Sequence, residues 1–480
     1  MRRVLLIGAG VLALAVPAAA QAFVPDDPLF PRQWYGPQDK AFDAFNVLPL
    51  LPTVRVAVID SGVDVKHPDL RGQIDAARSF VGGSPSDDQG HGTFVAGEIA
   101  AAVDDGHGIA GLAPTAHLLV AKVVRPDGSV STRAEAQAIR WAVKLGARVI
   151  NISLGGLRDP EDPFFTGYSK VEQQAIDDAV ANGVLVVAAV GNNKYAPVKP
   201  WKYASYPAAL PHVVGVGSYG RSGDVSSFSN QDPIFVDLVA PGEEMFSLLP
   251  RTMTAKNTSC DEQGYSSCGP KEFKHASGTS FSAPQVSAAA ATLFSVDPSL
   301  TSDEVSWLLE RTATPATPDN GCADCPPGRN ALAGWGKLNI AAAVRATRAG
   351  QAPAPDRFEP NDDVQIGKAI RARRARFRAT VDYWDDANDV YRIKLKRGQR
   401  IKVVVRPGAS LALSVVLWKP ALLSLSSARP QLRARQAANG PGVTDRLRYR
   451  ARKTGWYSLQ IAAARPGFGV YAIRIVKSRK

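Results

Sequence analysis

Val54-Arg55-Val56-Ala57-Val58-Ile59-Asp60-Ser61-Gly62 is a nearly unbroken apolar run that stops at an acid and a turn. Such a run is the pattern of a strand buried on both faces, as in a parallel sheet covered by helices. It places Asp60 at the C-terminal end of its strand, where open α/β sheets build their sites. Further along, apolar runs at residues 118–124, 149–154, 184–190 and 213–216 alternate with helical patterns at 134–145 and 171–182. The alternation predicts an α/β domain, a doubly wound parallel sheet with helices on both faces. The stretches 151–156 and 188–193 end strands on the same rim as Asp60, so polar groups from distant parts of the chain converge there.

Two helix starts carry the remaining chemistry. Gly90-His91-Gly92-Thr93-Phe94-Val95-Ala96-Gly97 opens a helix expected to run to Val103, with His91 held between two glycines. Ser277-Gly278-Thr279-Ser280-Phe281-Ser282-Ala283-Pro284 leads into an alanine-rich run, with Pro284 in a first turn that needs no N–H. Ser280 therefore sits at a helix N-terminus, where unpaired N–H groups and the dipole favour a developing oxyanion. Taken one at a time, these residues also fit plainer roles: a helix cap, a surface histidine, a turn aspartate.

Length and charge frame the rest. The chain has 480 residues and a net charge of +13, enough for two or three domains. Residues 1–22 read as a secretory signal: Arg2 and Arg3, an apolar run, then Ala20-Gln21-Ala22 as a cleavage site. No later apolar run reaches the roughly 20 residues needed to span a bilayer, so a released or envelope-associated protein is expected, with no transmembrane segment once mature. The domain plan is a signal over 1–22, an α/β domain over 23–345, an Ala/Pro/Arg linker over 346–355 and a third part over 356–480. That last part shows short strands at 390–395, 400–405, 411–417, 455–461 and 471–476, predicting an all-β sandwich. From Gln351 onward 28 Lys and Arg face 9 Asp and Glu, a balance of +19, leaving −6 for the rest. The two parts are expected to have different partners. Four cysteines in an exported chain favour disulfides, Cys260 with Cys268 and Cys322 with Cys325 by proximity. The spacing Cys322-Ala323-Asp324-Cys325 also admits a zinc site.

Together, VAVIDSGVD around Asp60, GHGTFVAG around His91, AAVGNN around Asn192 and SGTSFSAP around Ser280 resemble the subtilisin-like serine protease family, in the family's own Asp, His, Ser order. The resemblance runs from about residue 25 to 344. It implies a subtilisin-like fold and a secreted serine endopeptidase of broad specificity working through an acyl-enzyme. Ser280 would be the nucleophile, His91 the general base and Asp60 its orienting partner. Asn192 and the Ser280 N–H would form the oxyanion hole. Gly128, Ser129 and Val130, with Ser153, Leu154 and Gly155, would flank an extended substrate, and Ser205 would floor a first specificity pocket that tolerates apolar or medium-sized side chains. The chemistry calls for no cofactor. A structural calcium is implied at Asp27, Asp69 and the loop carrying Val103, Asp105, His107 and Ile109, hard oxygen ligands being the fitting type; a solvated acidic turn is the alternative. Residues 356–461 resemble the prepeptidase C-terminal domain of secreted bacterial peptidases, through Glu359-Pro360-Asn361-Asp362 and Gly455-Trp456-Tyr457. The arginines there suggest an anionic cell envelope, polysaccharide or acidic protein as partner rather than nucleic acid. A catalytically silent binding protein and a dedicated processing protease are the rival readings.

Overall fold

Val56 and Val58 enter one apolar core and Ala57 and Ile59 the other, so the 54–60 run is apolar throughout because both its faces are covered. The computed structural model describes residues 22–161, 167–254, 272–352, 356–384 and 386–478. A short helix, α1 (Tyr35–Gln38), precedes the sheet. The sheet strands are β1 (Val54–Asp60), β2 (Ile74–Ser79), β3 (Ala116–Lys122), β4 (Val149–Ile152), β5 (Leu185–Ala189), β6 (Val213–Tyr219) and β7 (Leu238–Pro241). They lie in the order β2-β3-β1-β4-β5-β6-β7, every neighbouring pair parallel.

On one face α2 (His91–Ala100), α6 (Ala283–Val296), α7 (Ser302–Arg311) and α8 (Ile340–Arg348) cover the sheet, through residues such as Phe94, Val286, Val305 and Ala343. On the other lie α3 (Thr132–Lys144) and α4 (Lys170–Ala181), through Ile139 and Ile176. Helix α6 is buried almost all round. Its small side chains let it run close beneath the sheet, which carries Ser280, just before it, to the strand ends. A further one-turn helix, α5 (Arg251–Thr254), follows an antiparallel pair's first strand, β8 (Met245–Leu248), whose partner is β9 (Phe273–Ala276).

The expected strands and helices are present, with differences at their margins. Strands β2 and β7 are additions at the two edges: β2 is polar, with Asp75 paired to Arg55 at 2.7 Å, and β7 has only four residues. Helix α2 stops at Ala100 instead of Val103, because the Ala102 N–H pairs with the Asp69 carbonyl at 2.7 Å. Helix α8 continues through Arg348, into the stretch expected as linker.

The C-terminal part is a sandwich of two sheets. Strands β10 (Lys368–Ala369), β12 (Asn388–Leu395), β14 (Leu413–Trp418), β15 (Arg433–Ala438) and β17 (Gly455–Ala463) form one, in the order β10-β12-β17-β14-β15. Strands β11 (Arg374–Asp382), β13 (Arg400–Pro407), β16 (Asp445–Arg450) and β18 (Phe468–Ser478) form the other, in the order β11-β18-β13-β16. Tyr391, Ile393 and Leu459 from the first meet Val403, Ile473 and Ile475 from the second in a common core. The sandwich rests on the α/β domain. Arg311 pairs with Asp382 at 2.9 Å and lies over the Trp335 ring, Trp335 meets Trp384 edge-on, and His212 Nε2 lies 2.5 Å from Asp362.

Candidate active site

Asp60 ends β1 with its carboxylate wholly buried. Its Oδ1 accepts from the Ser61 N–H at 2.7 Å and from His91 Nδ1 at 2.8 Å, and Oδ2 is 3.0 Å from the same nitrogen. A carboxylate accepts only, so Nδ1 carries the proton and Nε2 is left as the basic nitrogen. The His91 side chain is 28% exposed. Burial pulls its pKa down, but the charge and hydrogen bond of Asp60 outweigh this and leave it above the ordinary value.

Several residues hold His91 in place. Helix α2 starts at His91, and its first N–H groups are taken by Asp87: Oδ1 accepts from Gly90 and Oδ2 from Thr93, both at 2.8 Å. Ser61 Oγ accepts from the Gly92 N–H and donates to Asp87 at 2.9 Å, joining the end of β1 to the start of α2. Gly92 is required here, since a Cβ would fall 2.2 Å from the Gly62 carbonyl. Phe281 lies against the His91 ring, centroids 5.3 Å apart, and against Phe94 at 4.4 Å.

Ser280 lies in a single 3-10 turn, Thr279–Phe281, immediately before α6. Its carbonyl accepts from Ser153 Oγ at 2.7 Å. Ser153 in turn accepts from Asn151 Nδ2 at 2.9 Å, and Asn151 Oδ1 accepts from Ser287 Oγ at 2.9 Å. Asn192 Oδ1 accepts from both the N–H and the hydroxyl of Thr279 at 3.0 Å. With its oxygen occupied in this way, Asn192 keeps its NH2 group as a donor, and it lines a pocket together with Ser280.

That pocket, about 210 Å³, is lined by Ser153, Leu154, Gly155, Asn192, Ser205 and Ser280 among others. Ser205 is held by the Asn230 amide at 3.3 Å. Gly191, at φ +93°, passes so close that a Cβ would lie 2.3 Å from the Ser205 hydroxyl. The structure thus brings Asp60, His91, Asn192, Ser280, Ser153, Leu154, Gly155 and Ser205 to one rim. Gly128, Ser129 and Val130 lie outside the pocket, in an exposed turn after β3 where Val130 bridges Val124. The sequence reading missed Asp87, Thr279, Asn151 and Ser287, which position the others, and Lys194, which also lines the pocket.

Asp27 and Asp69 both meet the loop in which a cation is expected. Asp27 accepts from the Asp104 and Asp105 N–H groups, and Asp69 Oδ2 accepts from Ile109 N–H at 2.9 Å. Asp69 Oδ1 is buried with no hydrogen-bond partner among the described residues, 3.7 Å from His107 Nε2. Burial raises Asp69 to about 6, the behaviour of a carboxylate lacking a compensating positive charge. The donor set suits a hard cation; Val103 and Ile109 would add carbonyl oxygens. Two other acidic groups, Asp356 with Glu359 and Asp389, and His212 with Glu359 and Asp362, lie at or near the domain junction, where Asn361 bridges Glu359 and Asp389. Cys322 and Cys325 form a disulfide; Cys260 and Cys268 lie outside the described residues, as does the proposed signal up to residue 21.

Known proteins resemble this arrangement. The sequence model of the Subtilase family matches residues 52–336. The major intracellular serine protease of Bacillus subtilis is 38% identical over 251 residues, 51% of this chain and 69% of that protein. Subtilisin Savinase of Lederbergia lenta is 35% identical over 294 residues, 61% and 91% of the two chains. A solved protease from Pseudoalteromonas arctica superposes with a TM-score of 0.54 at 27% identity, covering 67% of this chain and 99% of that one.

Proposed function

The chain belongs to the subtilase family and is a serine endopeptidase, and from that premise we propose that Asp60, His91 and Ser280 are its triad. His91 Nε2 takes the proton of Ser280 Oγ as that oxygen attacks the peptide carbonyl, and Asp60 stabilises the imidazolium that forms. Asn192 Nδ2 and the Ser280 N–H donate to the carbonyl oxygen as it becomes an oxyanion. His91 then gives its proton to the departing amine, and the acyl-enzyme is released by water through the same steps. The observation that carries this reading is the Asp60–His91 pair: one imidazole nitrogen is fixed on a buried carboxylate, on the rim where Ser280 and Asn192 meet. Ser280→Ala should abolish casein hydrolysis while leaving the melting temperature unchanged. Residual hydrolysis within tenfold of the parent would remove Ser280 from the role.

Around this centre an extended polypeptide substrate would lie between Gly128, Ser129, Val130 on one side and Ser153, Leu154, Gly155 on the other, pairing through its backbone. Calcium would bind at Asp27, Asp69 and the 103–109 loop, where it would supply positive charge to Asp69 and fix the loop without entering the chemistry. EDTA should then lower the melting temperature and speed autolysis, and an unchanged melt would exclude the site. The protein would be exported through its N-terminal signal. No helix among the described residues is long and apolar enough to cross a membrane. The basic C-terminal sandwich would hold the enzyme to an anionic cell envelope.

A further inference from the structure

The second sheet of the sandwich, β11-β18-β13-β16, has one face in the core and one in solvent. Phe377, Val403, Leu447 and Ile473 point inward, and the alternating residues point out. The register sets like charges opposite one another on that outer face: Arg376 faces Arg474, Lys402 faces Arg448, and Arg400 faces Arg450. Arg374, Arg378, Arg406 and Arg446 stand on the same face beside these pairs. Directly opposed like charges destabilise a sheet by a few tenths to about 1 kcal/mol each, so a face selected for stability alone would mix its signs. The ion pairs of the described residues include none of these ten cations. Among the described residues the one acid on the face, Asp382, lies at its far end and is bound to Arg311.

The shape of the face narrows the ligand. Val404 points outward yet is only 9% exposed, among long basic residues that line the same trough. Arg374, Arg376, Lys402, Arg406, Arg446 and Arg474 line a trough of about 660 Å³ centred there. Outward residues repeat about every 7 Å along a strand and about every 5 Å across strands, a grid that meets many charges of a linear chain at once. The outward apolar residues of the trough, Val404, Ala472 and Val476, are small, and the larger exposed ones on that face, Phe468 and Val470, lie at its end beside the α/β domain, so no apolar ridge runs along the trough to enter a bilayer. Among the described residues the trough holds no aromatic ring on which bases could stack, as proteins that bind single-stranded nucleic acid use.

We propose that this face binds a linear anionic glycan of the cell envelope, its sulfate, phosphate or carboxylate groups seated on the arginine grid. The proposal deepens the attachment reading above and is independent of the peptidase chemistry. Labelled heparin serves as the sulfated probe, measured by anisotropy with the full mature chain carrying Ser280→Ala to prevent self-digestion. Binding should fall steeply with salt, by about 10³-fold between about 50 and 200 mM, as for several simultaneous charge contacts. Arg376→Glu, Arg446→Glu and Arg474→Glu together should weaken it at least tenfold. The same number of reversals elsewhere on the sandwich, at Arg433, Arg435 and Arg452, should leave it within about twofold. In the enzyme with Ser280 intact, the face variant should cleave a soluble peptide at the parent rate, which verifies its fold. Equal loss in both triple variants would mean that net charge alone binds, and tighter binding of single-stranded DNA or of phosphatidylglycerol vesicles than of heparin at equal salt would also overturn the proposal. Retention of the parent on cell envelopes that the face variant shares undiminished would leave attachment standing and refute this face; no retention of the parent would remove the attachment reading itself.

Discussion

Lys194 is the one charged residue lining the pocket beside Ser280 among the described residues. Its position follows from the 3-10 turn Asn193–Tyr195, which begins directly after Asn192, three residues beyond the end of β5. A substrate side chain entering the pocket therefore meets a positive potential. At a site this open such a contact is worth only about 0.2–1 kcal/mol. We expect kcat/KM for peptides differing at that one side chain to favour Glu over Lys by about two- to fivefold, and Lys194→Glu to reverse the order. A peptide series with equal rates for Glu and Lys in the parent would show that Lys194 does not face the substrate. The family motifs made Asp60, His91, Asn192 and Ser280 legible in the sequence, because each sits in a short run with a fixed relation to a strand or helix end. Lys194, Thr279 and Asp87 were not legible as site residues. Each is an ordinary polar residue in a turn, and its role comes from a partner or cavity that only the folded chain supplies.

Two elements hold the segment of Ser280, the proposed nucleophile, and the link between them is polar. Strand β4 supplies Asn151 and the segment after it Ser153; helix α6 supplies Ser287, whose hydroxyl donates to Asn151 across 136 positions of sequence. Ser287→Ala would strip a fully buried amide oxygen of its donor, which costs about 1–3 kcal/mol. In the Ser280→Ala background, where self-digestion is absent, urea unfolding should show a loss of that size, and a neutral result would mean that the hydrogen-bond chain does not tie α6 to β4. The same scale shows which elements a sequence discloses. Strands β1, β4, β5 and β6 are continuous Val, Ile and Ala runs because both faces are covered, so they were legible. Strands β11, β15 and β16 were missed. In β11 the inward positions are Ala375, Phe377, Ala379 and Val381 and the outward ones begin with three arginines, so the period of two is there but the β-branched residues that usually announce it are few. Strand β15 has only Ala434 and Ala437 packed toward the core, and β16 alternates four charged residues with one leucine and one tyrosine.

At the scale of the whole molecule, the contact between the two domains includes a cluster of buried titratable groups. His212, 5% exposed, stands between β5 and β6 and points its Nε2 at Asp362, with Glu359 at 3.9 Å; Asp303 of α7 and Asp177 of α4 lie close enough to feel its charge. Burial pulls its pKa down, but Asp362, Glu359 and Asp303 together lift it well above the ordinary histidine value. A histidine raised on folding contributes stability that is complete below its unfolded pKa, about 6.5, and is lost as pH rises through the folded one. The nearby acids act in the same direction. Burial raises Glu359 and Asp303, and lifts Asp389 to about 7. Between its unfolded and its folded pKa each binds a proton that the unfolded chain would lose, so each costs stability as pH rises through that window. The junction should accordingly be firmest at mildly acidic pH and loosen on the alkaline side. His212→Gln removes the cation and leaves Asp362 facing a neutral amide, so the junction should weaken at acidic pH and lose the part of its pH dependence that His212 supplies, while the part due to the acids remains. Calorimetry on the full chain, with limited proteolysis between residues 346 and 356 as a second readout, from about pH 5.5 to 9.5, would follow this. Melting profiles of parent and variant that shift in parallel over that range would show that His212 is not the group through which pH acts on the domain contact.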